Sequence, residues 1–148
     1  MIALVALLLS SVFAAPASHS PAIAECALGR VVLTDLSAPS VGTGFLLNGD
    51  PSQKNSLVAL CPDLISSLPP NLRIASKAEL ARVSELGSPD PVTILYVDVP
   101  KVSKSGRAAV VSYSYICNGL CGAGYEARYK KAGGVWSRVG KEKRLWVS

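Results

Sequence analysis

Residues 107–131 read RAAVVSYSYICNGLCGAGYEARYKK, and this stretch decides the fold. Two β-prone runs flank a three-residue loop in which Gly119 can adopt the positive φ that tight hairpins require. Folding the chain symmetrically about this glycine pairs Cys117 with Cys121, Tyr113 with Tyr125, Val111 with Ala127 and Ala109 with Tyr129. Large side chains then mostly face small ones on one apolar face. The stretch predicts a rigid β-hairpin with a disulfide at its tip.

The opposite face of this hairpin is polar, and it is the first candidate for a functional surface. We define the polar face by the residues of the other parity: Ser112, Ser114, Glu126, Arg128 and Lys130. The loop at the tip is the second place. The candidate binding residues are therefore Asn118, Leu120, Arg128 and Lys130.

Downstream, the Gly133-Gly134 pair predicts a two-residue turn that places Trp136 on the Tyr face and brings Trp146 near it. A one-residue shift would place Val135 and Val139 on that face instead. The clustered aromatic side chains fit either the core of a sheet or a ligand face that also carries basic residues.

Upstream, Ser76-Lys77-Ala78-Glu79 is a capping box that predicts a helix over 77–86. The apolar run 92–99 predicts an interior strand, and 62–68 a short second helix that Pro69-Pro70 ends. The β-prone segments 30–34, 41–47 and 56–60 predict short strands. The fold class is α+β, with one or two short helices packed on an antiparallel β-meander and stapled by disulfides.

The chain begins with an apolar stretch, residues 2–15, that is too short to span a bilayer. It is typical of a signal peptide over 1–24 with cleavage between 14 and 24, although no Lys or Arg precedes it. Residues 25–148 then form a single secreted or periplasmic domain. We expect no transmembrane segment in this mature chain.

Four cysteines in a secreted chain of this size indicate two disulfides, for which three connectivities exist. Cys26–Cys61 with Cys117–Cys121 is the favoured pairing. Because Cys117 and Cys121 join two strands rather than open a helix, we interpret them as a structural disulfide and not as a redox site.

Charge is distributed unevenly along the chain. Residues 25–100 hold five basic and eight acidic residues, whereas residues 101–148 hold ten basic and two acidic ones. A basic half can indicate an anionic partner, or only a solvated sheet face. We expect an anionic envelope component or another protein as partner, and no specific nucleic acid.

Catalytic and cofactor chemistry has little support in the sequence. The only histidine is His19, in or beside the predicted signal peptide. If cleavage follows Ala24, the mature chain has no histidine, and imidazole-based catalysis and imidazole metal ligation are then excluded. We predict no catalytic residue, no metal site and no cofactor. A carboxylate pair for a hydrolase would have to come from Glu79, Glu85, Asp98 or Glu126.

Residues 106–148 resemble the tails of small, mostly uncharacterised secreted bacterial proteins. The resemblance is carried by an Ala-x-Val strand, a Cys–Cys-Gly hairpin, an aromatic strand, Gly-x-Trp and a closing Trp-x-Ser, here Ala109–Val111, Cys117, Cys121-Gly122, Tyr125–Tyr129, Gly134–Trp136 and Trp146–Ser148. It implies a fold and no activity.

These observations predict a non-enzymatic binding or envelope-associated protein with a basic C-terminal sheet. One alternative is a protein inhibitor or immunity-type factor that uses the Cys117–Cys121 loop as a plug. Another is a hydrolase with carboxylate or Ser/Lys chemistry.

Overall fold

A computed structural model describes residues 21–37, 45–87, 92–119 and 121–148 of the chain. In this part of the chain the helices are α1 (Pro21–Leu36), α2 (Leu57–Leu60), a 3₁₀ helix (Pro62–Ser67) and α3 (Lys77–Arg82). The strands are β1 (Phe45–Leu47), β2 (Arg73–Ile74), β3 (Thr93–Val97), β4 (Lys101–Val102), β5 (Ala108–Cys117), β6 (Ala123–Ala132), β7 (Val135–Arg138) and β8 (Lys143–Val147).

The strands form one mixed sheet of eight strands in the order β2-β1-β3-β5-β6-β7, with β4 beside β5 and β8 beside β6. Strands β2, β1 and β3 run parallel, and the remaining pairs are antiparallel. The predicted clean antiparallel meander is therefore wrong, although a few short helices on a sheet are present.

Two features of the strands account for this difference. The N-terminal half adds β1 and β2 in parallel to the edge of β3, which a meander would leave uncovered. Strand β6 is also long, and β7 covers only its last four residues, so β8 returns to pair with its first half.

The central hairpin of β5 and β6 has the predicted register. Tyr113 pairs with Tyr125, and Val111 pairs with Ala127. Gly119 has φ +94°, as the tip requires. The Cys117–Cys121 disulfide closes the tip with a Cα–Cα distance of 5.7 Å. The apolar face of the hairpin is buried, whereas the polar face is exposed or half-buried over most of its length.

The N-terminal part differs from the sequence prediction. Residues 30–34, predicted as a strand, lie inside α1, and residues 57–60 of the strand predicted over 56–60 form α2 with Ser56 as its N-cap. In α1 the buried residues Leu28, Val32 and Leu36 recur every four positions, so packing on the core overrides the β propensity of the segment. Helix α1 includes positions 21–24 of the predicted signal peptide; residues 1–20 lie outside the described residues.

Helices cover the two faces of the sheet unequally. Helix α1, α2 and the 3₁₀ helix pack on the apolar face, where the Tyr129 hydroxyl donates to Asp35 of α1 at 3.0 Å. Helix α3 packs on the other face, but only against β1 and β3, through Leu46 and Ile94. The described helices thus leave open the polar face over β4, β5 and β6.

The capping box predicted for α3 is confirmed, because Ser76 and Glu79 exchange both hydrogen bonds. The helix is shorter than expected and ends at Arg82. Glu79 also accepts from Arg73 at 2.5 Å, and this bond, with those from Ser76, lowers the pKa of Glu79 to about 2.

The turn at Gly133-Gly134 has the predicted register, since Ala132 pairs with Val135 and Trp136 is buried on the apolar face. The prediction that Trp146 lies near Trp136 is wrong. Trp146 pairs with Gly124, whereas Trp136 pairs with Lys131 towards the opposite end of β6.

The two disulfides close loops of very different length, with partners 35 and 4 residues apart in sequence. We expect replacement of Cys26 and Cys61 by Ala to lower the free energy of unfolding by about 4 kcal/mol, and replacement of Cys117 and Cys121 by about 2 kcal/mol, because the longer loop restricts the unfolded chain more. Urea titration of both double variants measures this difference. Equal losses would contradict the chain-entropy explanation.

Candidate functional site

The open part of the polar face carries three cations at neighbouring positions of three strands. Lys101 of β4 pairs with Val110 of β5, which in turn pairs with Arg128 of β6. Lys130 lies two residues further along β6 and pairs with Ala108. Residues paired across strands point to the same face, so these three cations share one surface.

These cations surround a groove of about 380 Å³, which we call the basic groove. Its lining also includes Ser103, Ala108, Ala109, Val110, Tyr129 and Val139. Arg128 and Lys130 are exposed, as is Lys101. Within the part of the chain that the structure describes, none of the three forms an ion pair. The groove thus combines three exposed cations that form no ion pair in the described residues with an apolar floor.

A second, smaller hollow of about 230 Å³ lies on the same face beside Trp146, and we call it the Trp146 hollow. It is lined by Asp98, Ser112, Tyr113, Ser114, Gly124, Leu145 and Trp146. The indole of Trp146 lies across Gly124 so closely that a Cβ at that position would collide with its five-membered ring. Its six-membered ring reaches Gly122. The indole therefore packs directly on the backbone of these two glycines.

Two acidic residues, Asp98 and Glu126, flank this region and are aligned across the strands, with Ser112 between them. The backbone amide of Asp98 donates to the carbonyl of Ser112 at 2.9 Å, and Ser112 pairs with Glu126. Desolvation raises the pKa of Asp98, while the nearby Lys101 ammonium opposes that rise. Both acids are among the carboxylates that the sequence offers to a hydrolase, but the sequence does not predict that they are aligned across the sheet. Two strand spacings separate them, which is about 10 Å between Cα atoms.

Asn118, a candidate binding residue at the tip, makes hydrogen bonds within the protein. Its side-chain oxygen accepts from the Val92 amide at 2.7 Å, and its nitrogen donates to the carbonyl of Arg82 at 2.6 Å and to that of Glu85 at 3.3 Å. The amide thus ties the hairpin tip to the end of α3 and to the chain entering β3. Leu120, the other tip residue, lies outside the described residues.

The remaining predicted site residues occupy separate places. Cys26 and Cys61 join α1 to the end of α2, with 5.6 Å between their Cα atoms, and lie away from the polar face. Of the four candidate binding residues, Arg128 and Lys130 come together in the basic groove. In the described ranges, no group of three or more His, Cys, Asp or Glu side chains is arranged to hold a metal ion.

Sequence reasoning missed Lys101, Asp98 and Trp146 as members of this surface. Lys101 and Asp98 reach this surface because β3 and β4 pair with β5. In the sequence, Asp98 belongs to the strand predicted over 92–99 and Lys101 to the connection that follows it. For Trp146, the signal was present in Gly122 and Gly124, whose missing side chains leave room for a large neighbour.

We expect Asn118→Ala to lower the free energy of unfolding by about 2 kcal/mol, because it leaves partly buried backbone groups without partners. Chemical denaturation measures the loss. Lys104→Ala, at an exposed position in another loop, is the control and should change stability by less than about 0.5 kcal/mol. Unchanged stability of Asn118→Ala would mean that the amide is dispensable for the fold and available to a partner.

The comparisons with known proteins add no constraint on this surface. No protein-family model matches the chain, and no curated protein or solved structure shows significant similarity to it.

Proposed function

We propose that this protein is a non-enzymatic binding module of the secreted or periplasmic space, and that it holds an anionic envelope component in the basic groove. The observation that carries the proposal is the convergence of Lys101, Arg128 and Lys130 around an apolar floor without ion-pair partners among the described residues. Unpaired cations on one surface attract anions and raise their local concentration.

The chemistry of the groove suits carboxylate, sulfate or phosphate groups. The planar guanidinium of Arg128 can bind an oxyanion with two parallel hydrogen bonds, while the lysines act as mobile point charges. Glu142, one of the two acidic residues after position 101, is bonded to the Tyr113 hydroxyl and to Arg138, so its charge is compensated elsewhere. Glu126 lies two residues before Arg128 on the same face of β6 and forms no ion pair in the described part of the chain.

The extracytoplasmic setting is supported by the two disulfides, which persist in oxidising compartments, and by the signal-peptide pattern of residues 1–24. Among the helices of the described residues, none has the length and apolar character needed to cross a membrane.

A hydrolase is the second candidate, favoured by the cross-strand alignment that places Asp98 and Glu126 on one face. Inverting glycosidases hold their two carboxyl groups about 6.5–9.5 Å apart, a separation that two side chains can span from Cα atoms about 10 Å apart on one face. Release of new reducing ends from a polysaccharide, abolished by Asp98→Asn or by Glu126→Gln, would establish the hydrolase and overturn the non-enzymatic proposal.

The binding proposal predicts salt-sensitive retention of the wild-type protein on immobilised lipopolysaccharide, peptidoglycan or heparin. The double variant Arg128→Ala/Lys130→Ala should bind at least about tenfold more weakly, because each lost cation removes an oxyanion contact and part of the attractive field. Equilibrium binding at low and high salt measures both effects.

The matched control is Lys54→Ala/Lys77→Ala, which removes the same net charge at two exposed positions outside the basic groove. It should leave affinity within about twofold of wild type. Equal loss in both double variants would reduce the effect to net charge, and absence of salt-sensitive retention on all three supports would overturn the proposal.

A further inference from the structure

We propose that the Trp146 hollow binds a sugar ring of the same ligand, so that the ligand is an acidic polysaccharide. This inference rests on the proposed anion-binding function of the basic groove and adds the chemical class of the ligand. It assigns the neutral ring to one end of the polar face and the negative group to the other.

The platform for the ring is the indole of Trp146. One side of the indole packs on the backbone of Gly122 and Gly124, and 42% of the residue is still exposed. Burial of one side by backbone fixes the ring flat against the sheet, and the free side offers an extended apolar surface. The axial C–H groups of a pyranose can pack on such a surface. The extended chain of a polyphosphate has no C–H groups and cannot do so.

The edge of the hollow supplies the polar groups that a sugar ring needs. Asp98, Ser112 and Ser114 line it, and within the described part of the chain none of their side chains makes a hydrogen bond to another residue. A carboxylate accepts from hydroxyl groups, and a serine hydroxyl both donates and accepts. These three side chains can therefore satisfy the hydroxyls of a ring stacked on Trp146.

The charge of Asp98 decides which part of the ligand enters the hollow. An anionic group placed beside this carboxylate would be repelled, whereas a hydroxyl would be bound. The anionic group belongs instead near Arg128, four residues along β6 from Gly124, a distance of about 13 Å. That span exceeds one pyranose ring, so the ligand has several linked sugars.

The experiment compares two polyanions on four proteins. The probes are hyaluronate, an acidic polysaccharide in which neutral and acidic sugar rings alternate, and inorganic polyphosphate, which has no rings; the proteins are wild type, Trp146→Ala, Trp146→Phe and Arg128→Ala/Lys130→Ala. We expect Trp146→Ala to weaken hyaluronate binding about tenfold and to leave polyphosphate binding within about twofold, while Trp146→Phe retains most of the affinity. The double variant should weaken binding of both probes.

A second measurement does not depend on a variant that could perturb β8. In the wild-type protein, hyaluronate should protect the exposed Trp146 emission from acrylamide quenching, and polyphosphate should not; Trp136 is buried and contributes a constant background. No selective effect of Trp146→Ala together with no selective protection overturns the sugar site but leaves the basic groove intact. No binding of either probe by wild type overturns the proposed groove function as well.

Discussion

The register of β5 against β6 is the constraint on which the rest of the structure depends. With Val111 opposite Ala127 and Tyr113 opposite Tyr125, these odd-numbered side chains meet the core, and the even-numbered ones between them face the open side. A slip by one residue would exchange the two faces completely. The basic groove and the Trp146 hollow exist on one surface because the disulfide and Gly119 set this register at the tip.

The features that the sequence predicts well are those determined by neighbours in the chain. The hairpin, the Gly133-Gly134 turn and the capping box of α3 each depend on residues a few positions apart, so local geometry suffices. The N-terminal helix could not be recognised in this way. Val31, Val32 and Thr34 favour strands individually, and only the burial of one α1 face against the sheet and α2 makes the segment helical.

The candidate site was predicted in part for the same reason. Arg128 and Lys130 share a face by simple alternation along β6, which sequence parity shows directly. Lys101 and Asp98 join that face only through long-range pairing with β5, and the partner of each is decided by how the whole sheet assembles. Asn118 illustrates the converse: its position at a loop tip indicated a contact surface, yet its amide bonds to the carbonyl of Arg82, the last residue of α3, and to that of Glu85 just beyond the helix.

The pair Gly122 and Gly124 shows how structure and binding are linked at the start of β6. Glycine inside a strand weakens the strand, because it loses more conformational freedom and offers no side chain to the sheet. The indole of Trp146 compensates by covering both positions, and it can lie flat because Gly124 has no Cβ. The packing of Trp146 on the sheet and the presentation of its free indole surface are thus one arrangement. A side chain at Gly124 would lift the indole from the sheet and alter the shape of the hollow beside Asp98 and Ser112 at the same time.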